Sequence, residues 1–265
     1  MPAAADIPAL DFLGVRLNDL GVRAAAETIA ARVPELPFVY VITPNAQHLV
    51  RLARGDEVWR RAYERAWLVL MDGRVVPMLA RLLFGQRLPQ ASGSDLTVEL
   101  MQNHVKPDDP IAVIGGGAVL EQALIDRYGF TRLRVHNPPM GFIRDPEAVS
   151  ACVDFLVAHP ARYVFLAVGA PQSEILAEAV IAHGGSRGVG LCIGSSLLFA
   201  TGLVKRAPLW VQKAGLEAFY RLVQRPGTHF RRIFVESLPV IWILLRARLG
   251  GPGILRAAGD GPPPR

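Results

Sequence analysis

Short apolar runs, rich in β-branched and aromatic residues, recur along most of the chain and alternate with helical patterns. The runs span residues 37–43, 67–72, 111–117, 163–171 and 188–194, with a shorter one at 132–139. They lack polar alternation, which is typical of strands buried on both faces. Strands separated by single helices form βαβ units, so the sequence predicts an α/β fold in which helices flank a parallel sheet.

Helical periodicity fills the intervals between these runs. Helices are predicted over residues 20–32, 46–53, 57–66, 75–84, 146–159 and 172–183, and from the glycine turn at 115–117 to residue 128. A further helix is predicted to begin at Ser94 or Asp95, whose side chains can cap the free N–H groups of a first turn. A chain of 265 residues, 51% of them apolar, suits one such domain with an appendage.

Positive charge is concentrated near the carboxyl end. Residues 203–249 hold nine Lys and Arg against two Glu, whereas residues 1–202 are slightly acidic. No strand pattern follows residue 202, and helices are predicted over 209–223, 228–234 and 240–249. The predicted domains are a core, 1–202, a basic helical membrane-proximal appendage, 203–250, and a disordered tail, 251–265.

The basic segment indicates an anionic partner, which the charge alone leaves open among membrane lipid, a phosphorylated ligand and nucleic acid. Arginines beside Trp, Leu, Ile and Phe are typical of helices that lie in a membrane interface, and no nucleic-acid-binding motif is present. We therefore predict contact with the cytoplasmic membrane surface and none with nucleic acid. Helices that pack on the core with a solvated charged face are the alternative.

Composition excludes several other classes of protein. Cys152 and Cys192 are too few for a disulfide scaffold or a cysteine-built zinc cluster, and the six histidines have no metal-ligand spacing. Neither a metal nor another cofactor is expected. The opening residues lack a signal-peptide pattern, and the apolar run at 238–245 is too short to span a bilayer. The protein is expected to be cytosolic or to lie on a membrane without crossing it.

Turns with unusual residues follow four of the predicted strands. In an open parallel sheet, ligands bind outside the carboxyl ends of the strands, so the convergence of these turns predicts a binding site at that edge. The four turns are Thr43-Pro44-Asn45, Asp72-Gly73, Gly115-Gly116-Gly117 and Gly169-Ala170-Pro171.

Asp72 is the principal candidate for a chemical role, because a carboxylate at a strand end can serve as a catalytic base or a ligand group; the alternative is a helix cap. Thr43 and Asn45 can hold a sugar or orient that carboxylate, or form a turn that caps the next helix. The pattern favours a capping role for Asp95 and a packed or exposed helix position for His48.

The three glycines at 115–117 permit a tight turn and a close approach of the backbone to a phosphate. They form neither a P-loop, since Lys and Ser/Thr are missing, nor a dinucleotide fingerprint with its acidic residue. This pattern leaves two roles open: contact with a nucleotide phosphate or sugar, and a plain turn between a strand and a helix.

Longer motifs resemble those of the WecG/TagA/CpsF glycosyltransferases. They are TPNAQHLV at 43–50, WLVLMDGRVV at 67–76, GSDL at 93–96, the GGG and GAP turns and, above all, KRAPLWVQKAGLEAFYRLVQRP at 205–226. The resemblance implies a Rossmann-like core with a C-terminal helical appendage, in a cytoplasmic protein that associates peripherally with the inner face of the plasma membrane. It also implies inverting, metal-independent transfer of a hexose or N-acetylhexosamine-type sugar from a UDP-sugar to a polyprenyl-diphosphate-linked glycan, in exopolysaccharide or cell-surface polysaccharide synthesis.

The resemblance also implies roles for single residues. Asp72 falls on the family's general base, and Thr43 and Asn45 fall on its T-x-N motif, so these three are the predicted catalytic residues. Gln90, Ser173 and Leu198 depart from the family pattern, which leaves the donor sugar open. The predicted substrate-binding residues are Gly115, Gly116, Gly117, Gly169, Ala170, Pro171, Glu174, Ser94, Asp95, Gln90, Lys205, Arg206, Arg221 and Arg225.

Two other functions are compatible with the sequence. One is a catalytically inactive module of the same fold that binds or regulates at the membrane surface. The other is a nucleotide-dependent oxidoreductase, against which the absent dinucleotide fingerprint argues. Assembly into a homo-oligomer is also open.

Overall fold

A six-stranded parallel sheet forms the centre of the protein, as seen in a computed structural model that describes residues 7–205, 207–208, 211, 220, 232–251 and 253–254. The strand order is β4-β3-β8-β7-β5-β6, and every neighbouring pair is parallel. The predicted α/β class with a Rossmann-like parallel sheet is confirmed. The strands are β3 Val39–Ile42, β4 Leu68–Val69, β5 Ile111–Ile114, β6 Leu133–His136, β7 Tyr163–Leu166 and β8 Val189–Cys192.

The central strands β5, β7 and β8 are buried along their whole length. Helices cover both faces of a parallel sheet, so neither face of these strands meets water, and this is why their sequences are continuously apolar. The edge strand β6 is only partly buried and carries polar side chains between its apolar ones.

Two layers of helices enclose the sheet. On one face α2, α3, α4, α7, α8 and α10 share an apolar core, and on the other α1, α5, α6 and α9 share a second. The helices are α1 Val22–Ala30, α2 Ala46–Ala53, α3 Glu57–Arg65, α4 Val75–Phe84, α5 Gly93–Asn103, α6 Gly117–Tyr128, α7 Pro146–Ala158, α8 Gln172–His183, α9 Ser196–Ala200 and α10 Pro239–Arg248, with a 3₁₀ turn at Phe142–Arg144.

Several predicted boundaries need correction. The opening segment forms an antiparallel hairpin of β1, Ala9–Phe12, and β2, Val15–Asn18, before its helix. Helix α5 begins at Gly93 with Ser92 as its cap, so neither Ser94 nor Asp95 is the N-cap. The predicted strand at 67–72 is regular over two residues only, although Leu70 and Asp72 still donate to the Ile42 and Pro44 carbonyls.

The described part of the C-terminal segment is helical. A π-helical turn at Arg232–Ser237 leads into α10, and both pack against α2 while α10 also packs against α4. The helices predicted over 209–223 and 228–234 lie largely outside the described residues. Beyond α10, Ile254 is buried, and its N–H donates to the Leu13 carbonyl over 2.8 Å.

No helix within the described ranges is both long enough and apolar enough to cross a membrane.

Gly190 lies in the middle of β8, directly beneath the Phe38 ring. A Cβ atom there would lie 3.0 Å from Phe38 Cε2 and closer still to Cζ, and the Tyr40 Cβ would be 3.2 Å away. The neighbouring atoms of a packed core can move only slightly to make room for a methyl group. Gly190→Ala is therefore expected to lower the free energy of unfolding by about 1–3 kcal/mol, measured by urea denaturation.

Gly21→Ala is the matched control, because a Cβ at this helix N-cap meets nothing within 4 Å. Because Ala is a poorer N-cap than Gly, the substitution should still cost about 0.5 kcal/mol, which is less than the change at Gly190. Equal unfolding free energies for the two variants would contradict the packing seen at Gly190.

Candidate active site

The carboxyl ends of β5 and β7 form a topological switch point. Helix α6 returns from β5 across one face of the sheet, whereas α8 returns from β7 across the other. Such a divergence leaves a crevice between the two strand ends, where open α/β sheets bind ligands. A cleft of about 310 Å³ lies there, lined by Gly116, Leu120, Ala167, Val168, Gly169, Gly194, Ser195, Leu197 and Leu198.

The glycine turn after β5 shapes one wall of this cleft. Gly115 and Gly116 both have φ of +91°, a conformation that glycine adopts without strain. A Cβ on Gly115 would lie 2.8 Å from Val168 Cγ1, and one on Gly116 would collide with Leu120. Gly117 begins α6, and its N–H donates to the Asn137 side chain over 2.8 Å. The turn therefore needs glycine for its own geometry, and Gly116 also lines the cleft.

The turn after β7 shapes the opposite wall. Gly169, with φ of +77°, lines the cleft, and a Cβ there would meet nothing within 4 Å. Ala170 is exposed and Pro171 precedes the first residue of α8. Of the predicted residues in the two turns, Gly116 and Gly169 are the ones that border the cleft directly.

A second group of turns lies along the same edge, at β3 and β4. The Asp72 N–H donates to the Pro44 carbonyl over 2.7 Å, which joins the Thr43–Asn45 turn to the Asp72 loop. The Met71 carbonyl accepts the Ala91 N–H over 3.0 Å, so Gln90 lies beside this loop as well. Asp72 is half-buried at the carboxyl edge of the sheet.

Thr43 lies between the two groups of turns. Its hydroxyl donates to the Cys192 carbonyl at the end of β8 over 3.4 Å, and Thr43 as a whole is 8% exposed. A Cβ on Gly93 would lie 2.9 Å from Thr43 Oγ1, so the start of α5 abuts the same hydroxyl. The predicted catalytic residues are thus neighbours, and the edge continues through β8 to the cleft.

Asn45 and Asp95 are engaged in helix capping. Asn45 Oδ1 accepts the Gln47 N–H over 3.0 Å at the start of α2. In α5, Ser92 Oγ accepts the Asp95 N–H over 3.1 Å and donates to Asp95 Oδ2 over 2.6 Å. Capping is therefore part of the role of both residues, and Ser94 lies half-buried between Ser92 and Asp95.

Glu174 is buried behind the edge instead of lining the cleft. It is 3% exposed, and its Oε1 lies 3.6 Å from His48 Nε2. Burial, together with this nearby carboxylate, raises the pKa of Cys192 and of Tyr63 well above their ordinary values. Ser173 is buried too, and its hydroxyl donates to the Leu166 and Gly169 carbonyls over 3.0 and 3.1 Å.

The C-terminal segment reaches this site at one described point. The Gln47 side-chain amide donates to Glu236 Oε2, which ties the π-helical turn to the first turn of α2. Lys205 is exposed. Arg206, Arg221 and Arg225 lie outside the described residues. Among the residues that the structure describes, His, Cys, Asp and Glu form no group of three able to hold a metal ion.

Sequence patterns did not point to Gly194, Ser195 or Leu197 as part of the cleft. The one local signal is Gly194, a glycine at the end of the predicted strand 188–194, as at the other turns of this edge. The contact between Gln47 and Glu236 spans 189 residues and has no local signature.

The switch-point crevice of an open parallel α/β sheet is where this class of fold binds its ligands, and here it lies along the same sheet edge as the Asp72 loop. A sequence model of the glycosyl transferase WecG/TagA/CpsF family matches residues 10–253 of the chain. The match covers most of the 265 residues, so the protein belongs to this family. It is accordingly a glycosyltransferase of cell-surface polysaccharide synthesis.

Both cysteines should be unreactive in the folded protein, because burial raises the pKa of Cys152 to about 11 and that of Cys192 well above its ordinary value. Only the thiolate attacks a disulfide reagent. At about pH 8, near the ordinary thiol pKa, Ellman's reagent should therefore titrate neither thiol in the native protein and both in concentrated guanidinium chloride. A rapid native reaction of Cys192 would show that the floor beneath Thr43 is open to solvent.

Proposed function

We propose that the enzyme transfers a sugar from a UDP-sugar to a polyprenyl-diphosphate-linked glycan. The observation that carries the proposal is the continuous edge of the sheet along which Asp72, Thr43 and Asn45 adjoin the switch-point cleft. The cleft offers space for a nucleotide, and the Asp72 loop offers a carboxylate for an acceptor hydroxyl.

The donor is proposed to bind in the cleft between Gly116 and Gly169. The close backbone approach at Gly116 suits a phosphate or ribose, and the N-terminus of α6 lies nearby, where the helix dipole favours negative charge. Lys205, Arg206, Arg221 and Arg225 are proposed to complete the diphosphate site, because a guanidinium binds phosphate oxygens in pairs. Their charge would stabilise the departing UDP without a metal ion.

The chemical step is proposed to be a single displacement. The acceptor oxygen forms a bond to the anomeric carbon while the bond from that carbon to the UDP oxygen breaks, and UDP leaves with the bonding electrons. Asp72 takes the proton from the attacking hydroxyl, and Thr43 and Asn45 hold the acceptor sugar. Attack from the face opposite UDP inverts the anomeric configuration.

Asp72→Asn should abolish this transfer, because an amide cannot accept the hydroxyl proton, while UDP affinity stays near that of the wild type. Loss of a general base typically costs about 10²–10⁴-fold in turnover. Transfer is measured by mass spectrometry of a lipid-linked acceptor across a panel of UDP-sugars, and UDP binding by calorimetry.

Asp126→Asn is the control, since Asp126 is exposed on α6 and its carboxylate contacts Gln122. Near-normal turnover of Asp72→Asn would refute the assignment of the base. A wild-type protein that binds UDP yet transfers no sugar from any donor would favour the inactive, regulatory alternative.

A membrane-facing surface is proposed where α4 and α10 pack together. On α4, Val75, Met78 and Leu82 follow helical spacing on one face and are 40%, 60% and 76% exposed. On α10, Trp242 is 76% exposed and Leu249 follows it on the same face. Neither helix contains Asp or Glu.

Arginines border this apolar surface. Arg74 and Arg81 are exposed beside the α4 residues, and Arg246 and Arg248 beside those of α10. Apolar side chains flanked by arginines suit the interface of an anionic membrane, where each basic residue adds about 1 kcal/mol of attraction. This orientation would bring a lipid-linked acceptor to the edge that carries Asp72.

Leu82→Glu should weaken binding to vesicles of anionic phospholipid, because a carboxylate replaces an apolar side chain on a surface that meets negative charge. Binding is measured by co-sedimentation. Val119→Glu is the matched control, since Val119 is 70% exposed but lies on α6, across the sheet from α4. Equal loss of binding in the two variants would show that α4 does not face the membrane.

A further inference from the structure

His48 and Glu174 face each other in the interior directly behind the Thr43–Asn45 turn. The side chains are 8% and 4% exposed, and His48 Nε2 lies 3.6 Å from Glu174 Oε1. Within the described part of the chain, the second oxygen, Glu174 Oε2, has no hydrogen-bond partner. A buried carboxylate is costly unless it is compensated, so His48 is essential to keeping this charge inside.

The other ring nitrogen of His48 faces the cap of α2. Nδ1 lies 2.9 Å from Asn45 Oδ1 and 3.3 Å from the Asn45 backbone nitrogen. A single imidazole ring therefore joins the buried carboxylate of α8 to the asparagine that begins α2. The ring orientation fixes the Asn45 side chain, because Asn45 and His48 are three residues apart on one turn.

Aromatic packing holds the imidazole in this position. The Trp59 ring meets it edge-on with centroids 4.8 Å apart, and the Arg51 guanidinium lies over Trp59 at 5.6 Å. Tyr63 is buried beside Trp59. The His48–Glu174 pair is thus enclosed by α3, and its attraction is stronger than it would be in water.

The first turn of α2 is in turn joined to the Asp72 loop. Pro44, the residue before Asn45, accepts the Asp72 N–H over 2.7 Å. A shift of Asn45 therefore also moves the backbone that carries Asp72. Small displacements of a base relative to its substrate slow the reaction strongly, since a shift of about 1 Å can lower the rate about 100-fold.

We propose that Glu174 and His48 are positioning residues that hold Asn45 and, through Pro44, Asp72 in the geometry required for transfer. The proposal rests on the proposed function and deepens it, because it gives Glu174 an indirect role in place of a substrate contact. His48 Nε2 carries a proton directed at Glu174, and Nδ1 accepts the Asn45 backbone N–H. Neither residue touches the substrate.

The test is a double-mutant cycle of Glu174→Gln and His48→Gln. Each single variant should lower kcat by about 10–100-fold, while calorimetric UDP affinity changes by no more than about twofold. Because the two residues act through one contact, the double variant should be no worse than the poorer single variant. Singles within about twofold of the wild-type kcat, or a double whose loss equals the product of the singles, would overturn the proposal.

Glu178→Gln is the matched control. Glu178 lies one turn further along α8, and its carboxylate pairs with Arg65 of α3 at 3.8 Å. The substitution removes a partly buried charge from the same helix and leaves the α2 cap unchanged, so kcat should stay at the wild-type level. A loss of kcat as large as that of Glu174→Gln would show a general effect of α8 and overturn the proposal.

Nuclear magnetic resonance of the His48 ring gives a readout that needs no activity. A long-range ¹H–¹⁵N spectrum of the wild-type protein, with the His48 ring assigned through its own backbone resonances, should show Nε2 protonated. A ring protonated on Nδ1 alone would refute the proposed interaction between His48 and Glu174. This test uses only the wild-type protein, so it holds even if the variants fail to fold. Lack of transfer by the wild-type enzyme would instead overturn the proposed function, so the two failures are distinguishable.

Discussion

Parallel pairing of β4, β3, β8, β7 and β5 is the constraint on which the rest of the structure depends. Each parallel neighbour requires a helical return to the opposite end of the sheet, so the carboxyl ends of all five strands lie along one edge. This pairing places the Asp72 loop, the Thr43–Asn45 turn and the cleft along the same edge. Main-chain hydrogen bonds between buried strands therefore place the chemical groups, and the turn residues supply the chemistry.

The first turn of α2 is where this framework meets the C-terminal segment. Asn45 caps the helix, His48 faces Glu174 in the interior, and Gln47 reaches outward to Glu236. One helical turn thus connects the sheet edge, a buried charge pair and the segment that we propose lies at the membrane.

Structural features that depend on a few neighbouring residues were predictable from the sequence. Helices α2, α4 and α8 have the bounds expected from periodicity, because Asn45 caps the first and Gly85, with φ of +67°, ends the second. The β1–β2 hairpin was not predicted, since its strands are four residues long and its stability comes from burial of Phe12 and Leu17 against distant residues. Ser92 was missed as the α5 cap because Ser94 and Asp95 offer the same capping chemistry two and three residues later.

The sequence by itself determined which segments become buried strands, which turns follow them, and that Asp72, Thr43 and Asn45 are the polar groups at two of those turns. Only the tertiary structure decided that Ser195 and Leu198 complete the cleft, and that Glu174 turns inward to His48. The physical reason is the strand order: β8 lies between β3 and β7, so residues far apart in the chain become neighbours. Periodicity and capping are local properties, and they carry no information about which strand ends stand side by side.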